Sequence, residues 1–346
     1  MKTFAMLTSG GDAPGMNTAL AAAVKVAAEA GAQSLGVRDG YRGLLRDQLI
    51  PLAPRDVDAY WQRGGTELGT ARCPEFHDLD ARKTAAAHLI QRGVDGLLVI
   101  GGNGSLAGAA ALQALIPDIP IVGIPASIDN DLGCTSMALG VDTALNTIVQ
   151  ACDRISDTAR SHRRIFIVEV MGRDCGYLAM ASALAARADA IITREQNKPL
   201  EQLVEELGAI AKAANHRGKK RVLIIKAEGA RVPLTELVAH LAGDHGFAVR
   251  TTVLGHMVRG GSPSFRDRLI AGRLAFAAVR CLLDNQRGMV GWEPVEDGGA
   301  PTHDPAIQRF SFARVLEETQ ALLSGTHPST IRRLRLLDVG QRVLPM

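Results

Sequence analysis

The chain has few aromatic residues and no large excess of either charge. Phe, Trp and Tyr together make 4% of its 346 residues, against 36 glycines. Scarce aromatics disfavour an aromatic-rich binding sandwich, whereas abundant glycine suits aliphatic strands, alanine-rich helices and tight turns. The formal net charge of +3 is too small for a nucleic-acid-binding face and fits a small anionic substrate better.

The chain also lacks paired cysteines and an N-terminal apolar run. Its 5 cysteines are scattered and form no CxxC pair of the kind found in zinc ribbons and redox sites. We therefore expect reduced thiols and a cytoplasmic protein. The opening sequence MKTFAMLTSGGDAPG has too short an apolar stretch for a signal peptide or a membrane span. With 346 residues, 47% of them hydrophobic, the chain is long enough for about two packed domains.

Short aliphatic runs alternate with helix-compatible segments along nearly the whole chain. This alternation is typical of parallel sheets covered by crossover helices. The sequence therefore predicts an α/β fold, with two Rossmann-like βα lobes and mainly parallel sheets covered by helices. The predicted strands cover 3–8, 96–100, 119–125, 165–170, 190–193, 221–226 and 248–254, and the clearest helices cover 18–30, 106–115 and 234–241.

Two glycine-rich turns follow predicted strands, at residues 9–15 (SGGDAPG) and 101–105 (GGNGS). Small residues there let backbone N–H groups approach an anion at the N-terminus of the following helix. Each segment is also compatible with an ordinary tight turn between strand and helix. Two equivalent turns in one sheet favour a phosphate cradle over either turn alone. Neither is a Walker loop, because the GKS/T ending is absent.

A third segment, residues 125–131 (PASIDND), places two carboxylates after another buried strand. In an extended segment, Asp129 and Asp131 would face the same side. One would then be able to act as a base and the other as a metal ligand. Acidic residues at strand ends are also common as helix caps, and for this pair alone capping is the more frequent role.

Arginines follow these segments at positions 164, 173, 250 and 259, three of them in or beside glycine-bearing stretches. A guanidinium stays charged and binds phosphate oxygens through two parallel hydrogen bonds. Isolated arginines are more often surface residues, so it is their grouping that favours a sugar-phosphate site.

With these motifs the sequence resembles the bacterial phosphofructokinase family over nearly its whole length. Seven motifs occur in the family's order and spacing, and such a series is far more specific than a lone glycine motif. They are TSGGDAPGMN at 8–17, GTARCPEF at 69–76, GGNGS at 101–105, IDND at 128–131, SHRRI at 161–165, VEVMGRDCG at 168–176 and TVLGHMVRGGSP at 252–263.

The resemblance implies transfer of the γ-phosphoryl group of ATP to the 1-hydroxyl of fructose 6-phosphate, a step of glycolysis. Asp129 matches the family's catalytic base, Ser127 stands where the family usually has Thr, and Arg173 matches an arginine that stabilises the transferred charge. The matching nucleotide-site residues are Gly11, Tyr41, Arg72, Cys73, Gly102, Asn103, Gly104 and Ser105. The matching sugar-phosphate residues are Ser127, Asp129, Arg164, Met171, Gly172, Arg173, Glu228, Arg250, His256 and Arg259.

The resemblance also implies domains and an assembly. We expect a larger nucleotide-binding lobe at 1–138, joined by part of 252–310, a sugar-phosphate-binding lobe at 139–251, and a C-terminal helical extension at 311–346. In the family, Arg164 and Arg250 would come from a neighbouring subunit, which implies a homotetramer with shared active sites. Neither nucleic acid nor membrane is expected as a partner.

One departure from the family concerns the expected cofactor, Mg²⁺. Asn103 stands where the family normally has an Asp near the metal, and an amide oxygen attracts the ion less than a carboxylate does. We expect Asn103 and Asp131 to lie at the metal. A catalytically weak or silent paralogue that binds sugar phosphate or nucleotide therefore stays open as an alternative.

The phosphoryl donor depends on Gly104 and Ala126. Pyrophosphate-dependent relatives usually carry Asp and Lys at these positions, so the small residues here favour ATP. A pyrophosphate-dependent enzyme stays open as an alternative. A lipid or NAD kinase, whose nucleotide loops are similar, would leave the MGR and GHMVRGG segments unexplained.

Overall fold

The computed structural model describes residues 1–241, 247–294 and 298–326. Within them the strands are β1 (Thr3–Ser9), β2 (Gln33–Val37), β3 (Leu49–Leu52), β4 (Gly96–Gly101), β5 (Ile121–Pro125), β6 (Arg164–Val170), β7 (Ala190–Ile192), β8 (Arg221–Ala227), β9 (Ala248–Val253), β10 (Gly288–Trp292), β11 (Ala300–Pro301) and β12 (Ile307–Phe310). The α-helices are α1 (Met16–Glu29), α2 (Gly40–Leu45), α3 (Leu79–Gln91), α4 (Asn103–Gln113), α5 (Val141–His162), α6 (Tyr177–Ala185), α7 (Leu200–His216), α8 (Leu234–Leu241), α9 (Phe265–Leu283) and α10 (Phe312–Leu323). Short 3₁₀ helices cover Pro54–Tyr60, Pro74–His77 and Gly255–Arg259.

Contacts between residues divide the chain into two compact units. The first comprises Met1–Thr143 and Arg259–Leu322, and the second comprises Ala144–Val258 and the described residues that follow Leu322. The domain boundaries expected from the sequence stay predictions. Residues 327–346 of the expected C-terminal extension lie outside the described residues.

The first unit is built on a sheet whose described strands have the order β11-β12-β10-β5-β4-β1-β2-β3. Pairing is parallel from β2 through β1, β4 and β5 to β10, and antiparallel at the two edges. The central strands β4 and β5 are buried throughout. Strands covered on both faces favour continuous aliphatic runs, and this explains sequences such as GLLVIG and IVGIP. The alanine-rich helix α1 packs against α9.

The second unit has a smaller sheet, whose described strands have the order β7-β8-β6-β9 and pair in parallel. Ile165 and Ile167 of β6 lie in one core with Ile224 of β8. Leu207 of α7 and Leu237 of α8 complete this cluster, so the two helices cover one face of the sheet. The predicted α/β class with mainly parallel sheets is therefore confirmed.

Several element boundaries differ from the sequence prediction. Helix α4 begins at Asn103 and not at Leu106, and α1 begins at Met16 and not at Thr18. Strand β5 begins at Ile121, two residues later than predicted. Among the described helices, none combines the length and the apolarity that crossing a membrane requires.

Candidate active site

The three segments singled out in the sequence follow strands that lie side by side in the first unit. Ser9, the last residue of β1, pairs with Gly101, the last residue of β4, and Gly101 pairs with Pro125 at the end of β5. Residues 10–15, 102–105 and 126–131 therefore leave the same edge of the sheet. The carboxyl edge of a parallel sheet is where open α/β folds bind ligands.

The first loop closely contacts Arg259. Gly10 and Gly15 have φ values of 89° and 99°, in the left-handed region that glycine tolerates. A Cβ atom added at Gly11 would lie 2.6 Å from Nη1 of Arg259. The same guanidinium nitrogen donates a 3.2 Å hydrogen bond to the carbonyl oxygen of Asp12, and Arg259 is buried. Gly11 and Arg259, assigned by resemblance to different substrates, are thus neighbours.

The second loop forms the first turn of α4. Gly102 is the N-cap residue, and the turn that follows it contains Asn103, Gly104 and Ser105 and no acidic residue. The N–H groups of a first helical turn point outward and carry the positive end of the helix dipole. This turn therefore has the polarity that a phosphate group needs.

Tyr41 packs beside this turn and is hydrogen-bonded to it. Its hydroxyl donates a 2.6 Å hydrogen bond to the carbonyl oxygen of Ser105. Its ring stacks on Phe76, with centroids 4.2 Å apart, and a Cβ atom added at Gly108 would lie 2.9 Å from the ring. Burial raises the pKa of the Tyr41 phenol far above its ordinary value, so the hydroxyl remains a donor.

The segment with Arg72 and Cys73 is tied to the first loop. Thr70 donates a 2.7 Å hydrogen bond from Oγ1 to the carbonyl oxygen of Gly10. The Arg72 side chain is exposed, and Cys73 is half-buried. Burial and a hydrogen bond with Glu75 raise the pKa of the Cys73 thiol. Cys73 therefore stays neutral and is not set up as a nucleophile.

The third loop does not have the extended shape expected from the sequence. Asp129 lies in a turn and is 3% exposed, whereas Asp131 is half-buried. Asn130 between them has a φ of 52°. The extended segment on which the expected same-side arrangement depended is not formed, because Asp129 lies in a turn and a left-handed residue separates it from Asp131.

Ser127 links the two carboxylate residues. Its Oγ atom accepts a 3.3 Å hydrogen bond from the backbone N–H of Asp129 and donates a 3.1 Å hydrogen bond to Oδ1 of Asp131. The helix-capping alternative is excluded, because the next helix, α5, begins only at Val141. The N–H groups of Gly140 and Thr143 at that helix start donate instead to the carboxylate of Asp267, at 3.0 and 2.8 Å.

Sequence reasoning missed the roles of Asn17 and Asn130, two buried asparagines whose amides bond to the backbone of other segments. Asn17 donates hydrogen bonds from Nδ2 to the carbonyl oxygens of Arg63 and Gly64, and its Oδ1 accepts one from the N–H of Glu67. Asn130 makes two similar bonds to the backbone. Asn130 was a detectable signal, because it stands between two aspartates in a turn and an asparagine amide bonds readily to the backbone of a turn. Asn17 gave no such signal, since it lies in α1 and bonds to a segment far away in the chain.

In the second unit, the loop after β6 is held by Glu228. Oε1 of Glu228 accepts hydrogen bonds from the N–H groups of Gly172, at 3.2 Å, and Arg173, at 2.9 Å. Gly172 has a φ of 144° and Arg173 one of 48°, so the loop is sharply bent. Met171 is half-buried and Arg173 is exposed.

Arg164 and Arg250 lie away from that loop within the second unit. Arg164 is the first residue of β6, and Arg250 on β9 pairs with Phe166, near the same end of the sheet. Strand β6 has 7 residues and therefore spans about 20 Å. The loop with Arg173 follows its opposite end. His256 is exposed just beyond the carboxyl end of β9.

The described residues contain no group of three or more His, Cys, Asp or Glu side chains arranged to hold a metal ion. Asn103 and Asp131 supply amide and carboxylate oxygens at the sheet edge. These are the ligand types that Mg²⁺ takes when most of its coordination comes from phosphates and water.

Comparisons with known proteins give a consistent result. The family model described as phosphofructokinase matches residues 3–282. The ATP-dependent 6-phosphofructokinase of Staphylococcus carnosus is 46% identical over 292 residues, which cover 84% of this chain and 88% of that protein. The enzyme of the same name from Thermotoga neapolitana is 46% identical over 286 residues, covering 83% and 88%.

A solved structure agrees. Phosphofructokinase from Saccharomyces cerevisiae superposes with a TM-score of 0.90 and 31% identity, covering 100% of this chain and 50% of that chain. This chain thus spans about half the length of the yeast polypeptide. The matches in sequence and in structure extend over both units, and the chain belongs to the phosphofructokinase family.

Proposed function

We propose that this protein is an ATP-dependent 6-phosphofructokinase of the cytoplasm. It transfers the γ-phosphoryl group of ATP to the 1-hydroxyl of fructose 6-phosphate and releases ADP and fructose 1,6-bisphosphate. One observation carries the proposal. Asp129, which is 3% exposed, lies in the loop after β5, and the neighbouring strand β4 leads into the start of α4 at Asn103. A base next to a phosphate-binding turn suits phosphoryl transfer to an alcohol.

In the proposed reaction Asp129 accepts the proton of the attacking 1-hydroxyl. Ser127 fixes the loop that carries Asp129, and the first turn of α4 binds phosphate oxygens through its N–H groups. Arg173 neutralises the charge of the transferred group. In phosphoryl transfer, such positioning and charge neutralisation account for most of the catalysis.

The sugar-phosphate residues support a shared active site. Arg164 lies about 20 Å along β6 from the loop that carries Arg173, so the two arginines stand at opposite ends of this strand. We propose that Arg164 and Arg250 serve the active site of a neighbouring subunit in a homotetramer. The remaining proposed sugar-phosphate ligands are Met171, Gly172, Glu228, His256 and Arg259.

Mg²⁺ is the proposed cofactor, and the residues at the sheet edge fit it. Asp131 and Asn103 would hold it through oxygen atoms, directly or through water. When bound, the ion would neutralise charge on the phosphates of the nucleotide. The neutral amide of Asn103 attracts Mg²⁺ less strongly than a carboxylate at this position would.

ATP is the proposed donor in preference to pyrophosphate. A Cβ atom added at Gly104 would meet no atom within 4 Å, so the space beside this residue is open and no side chain fills it. Ala126 is 1% exposed, so a lysine at this position would need its surroundings to move. The test is a comparison of fructose 6-phosphate turnover with ATP and with pyrophosphate at equal Mg²⁺. Faster turnover with pyrophosphate would refute this choice of donor.

Asn103 favours one alternative, a silent binding protein. Such a protein would be stabilised thermally by fructose 6-phosphate or ATP but would form no ADP. The proposed enzyme forms ADP in proportion to fructose 1,6-bisphosphate. A single coupled assay beside a thermal-shift measurement separates the two.

A further inference from the structure

Asn130, the residue directly after Asp129, has an unusual backbone conformation. Its φ is 52°, in the left-handed region, and its side chain is 1% exposed. Asparagine is among the few residues other than glycine that adopt this conformation readily. A buried asparagine there suits both the turn and a specific hydrogen-bonding partner.

Both ends of the Asn130 amide bond to the later part of the same loop. Nδ2 donates a 3.2 Å hydrogen bond to the carbonyl oxygen of Ser136, and Oδ1 accepts a 3.0 Å hydrogen bond from the N–H of Ala138. One side chain thus ties the turn at Asp129 to residues 136–138, the returning segment of the loop.

That returning segment is itself fixed to the sheet. The N–H of Ser136 donates to the carbonyl oxygen of Trp292 on β10, at 3.0 Å, and the N–H of Trp292 donates to Oγ1 of Thr135, at 3.1 Å. At its base the loop is closed by the N–H of Ser127, which donates to the carbonyl oxygen of Leu139 at 3.2 Å. Asn130 therefore connects the turn at Asp129 to a segment anchored on β10.

We propose that Asn130 is a positioning residue that sets the direction of the Asp129 carboxylate. The proposal rests on the proposed function, in which Asp129 is the base. The left-handed turn fixes the peptide between the two residues, and the amide prevents that turn from opening. A displacement of about 1 Å at a reacting group costs up to about 100-fold in rate, so a small relaxation of this turn is measurable.

Two substitutions separate the contribution of the left-handed backbone at Asn130 from that of its side-chain amide. Asn130→Gly keeps access to positive φ but loses both hydrogen bonds, and we expect kcat to fall about tenfold with KM for both substrates within about twofold. Asn130→Ala also loses the tolerance for positive φ, so we expect a fall of about 100-fold. Asn285→Gly is the matched control, because Asn285 is exposed, has a φ of 56° and lies outside the proposed site.

A double variant tests whether Asn130 acts through Asp129. If it does, Asp129→Asn with Asn130→Gly has the same residual kcat as Asp129→Asn alone, because the base is already absent. If Asn130 has a merely structural role, the double variant loses kcat by the product of the two single losses, and this result would overturn the proposal. Asn130→Asp, which keeps the tolerance for positive φ and the acceptor atom, replaces the glycine variant in this cycle if that variant does not melt cooperatively.

The outcomes also separate this inference from the function on which it rests. Normal kcat for Asp129→Asn would refute the assignment of the base, and the positioning role with it. A severe loss for Asp129→Asn beside normal kcat for Asn130→Gly and Asn130→Ala would refute the positioning role alone.

Discussion

The hydroxyl of Ser127 donates a 3.1 Å hydrogen bond to Oδ1 of Asp131. Because its proton is committed to that carboxylate, a lone pair on Oγ receives the N–H of Asp129. Asp131 thus helps to orient the residue that holds the proposed base. A serine at this position performs this task with its hydroxyl alone, so the methyl group of a threonine is not needed for it.

The first prediction concerns Mg²⁺. Asn103→Asp places a carboxylate in the first turn of α4, and we expect half-maximal activity at an about fivefold lower Mg²⁺ concentration, equivalent to about 1 kcal/mol of added attraction. Asp131→Asn should raise the Mg²⁺ concentration needed for half-maximal activity. Initial rates over a Mg²⁺ series at saturating substrates measure both. Asn285→Asp adds a charge at an exposed position as control, and an unchanged Mg²⁺ requirement in Asn103→Asp would contradict the metal assignment.

The second prediction concerns the contact between Gly11 and Arg259. In Gly11→Ala the new methyl group would lie 2.6 Å from Nη1, so the guanidinium must move and lose its bond to Asp12. We expect KM for fructose 6-phosphate to rise about tenfold, the scale of one charged hydrogen bond, with little loss of stability. Gly260→Ala is the matched control, since its Cβ would meet no atom within 4 Å. Unchanged KM in Gly11→Ala would argue against a role for Arg259 in binding the sugar phosphate.

The third prediction concerns Glu228. Its Oε1 atom accepts two backbone hydrogen bonds from the loop of Arg173, and a glutamine in its place still offers an acceptor at the same atom. We expect Glu228→Ala to raise KM for fructose 6-phosphate by at least about tenfold, and Glu228→Gln by clearly less. Steady-state kinetics measure both variants, with Glu205→Ala on the exposed face of α7 as control. Equal effects of Gln and Ala would show that the charge, and not the acceptor geometry, matters.

The fourth prediction concerns the stability of the first unit. Arg273 binds Asp304 through two hydrogen bonds, of 2.6 and 2.5 Å, and its guanidinium lies 4.6 Å from the ring centre of Trp292. Arg273 holds the pKa of Asp304 below its ordinary value of 3.8. A depressed carboxyl pKa stabilises the folded state above the ordinary value, and this stabilisation is lost as the pH falls through the lowered pKa.

We therefore expect Asp304→Asn to lower the free energy of unfolding by about 1 kcal/mol at neutral pH, the upper range for a partly exposed ion pair. The difference from the parent protein should shrink below about pH 4. Chemical denaturation at pH 7 and near pH 3 measures it. Asp157→Asn, from an exposed Arg160 pair, should have almost no effect at either pH. An equal difference in the free energy of unfolding between Asp304→Asn and the parent protein at both pH values would contradict the ion-pair explanation.

The sequence was sufficient to predict the α/β class, because β4 and β5 are mainly aliphatic runs that are each followed by a loop of small residues. The start of α4 was missed since glycine, asparagine and serine have low helix propensity, although a first turn tolerates them. Strand β2, with the sequence QSLGV, was not predicted, because it has neither a clear alternation nor a long apolar run. Its Gly36 leaves space for a neighbouring side chain, as an added Cβ atom would lie 2.7 Å from Cδ1 of Leu52.

The candidate site was predictable where a motif carries its own chemistry and not where distant segments meet. The positions of residues 102–105 and Asp129 directly after buried strands followed from the alternation of aliphatic runs with turns and from the motifs, whereas the order of the strands in the sheet was not predicted. The contact of Arg259 with Gly11 joins residues far apart in the chain, and no local pattern shows it. The bonds of Asn130 depend on the path of the loop through Ser136, which sequence periodicity does not encode.

The most direct test of the proposed function is the turnover of the parent protein and Asp129→Asn, side by side, with ATP, fructose 6-phosphate and Mg²⁺. We predict that the parent protein forms ADP and fructose 1,6-bisphosphate in equal amounts. In the variant, kcat should be more than about 100-fold lower, the scale of losing a general base, while the protein stays folded. Near-normal turnover by Asp129→Asn, or no ADP from the parent protein, would contradict this account.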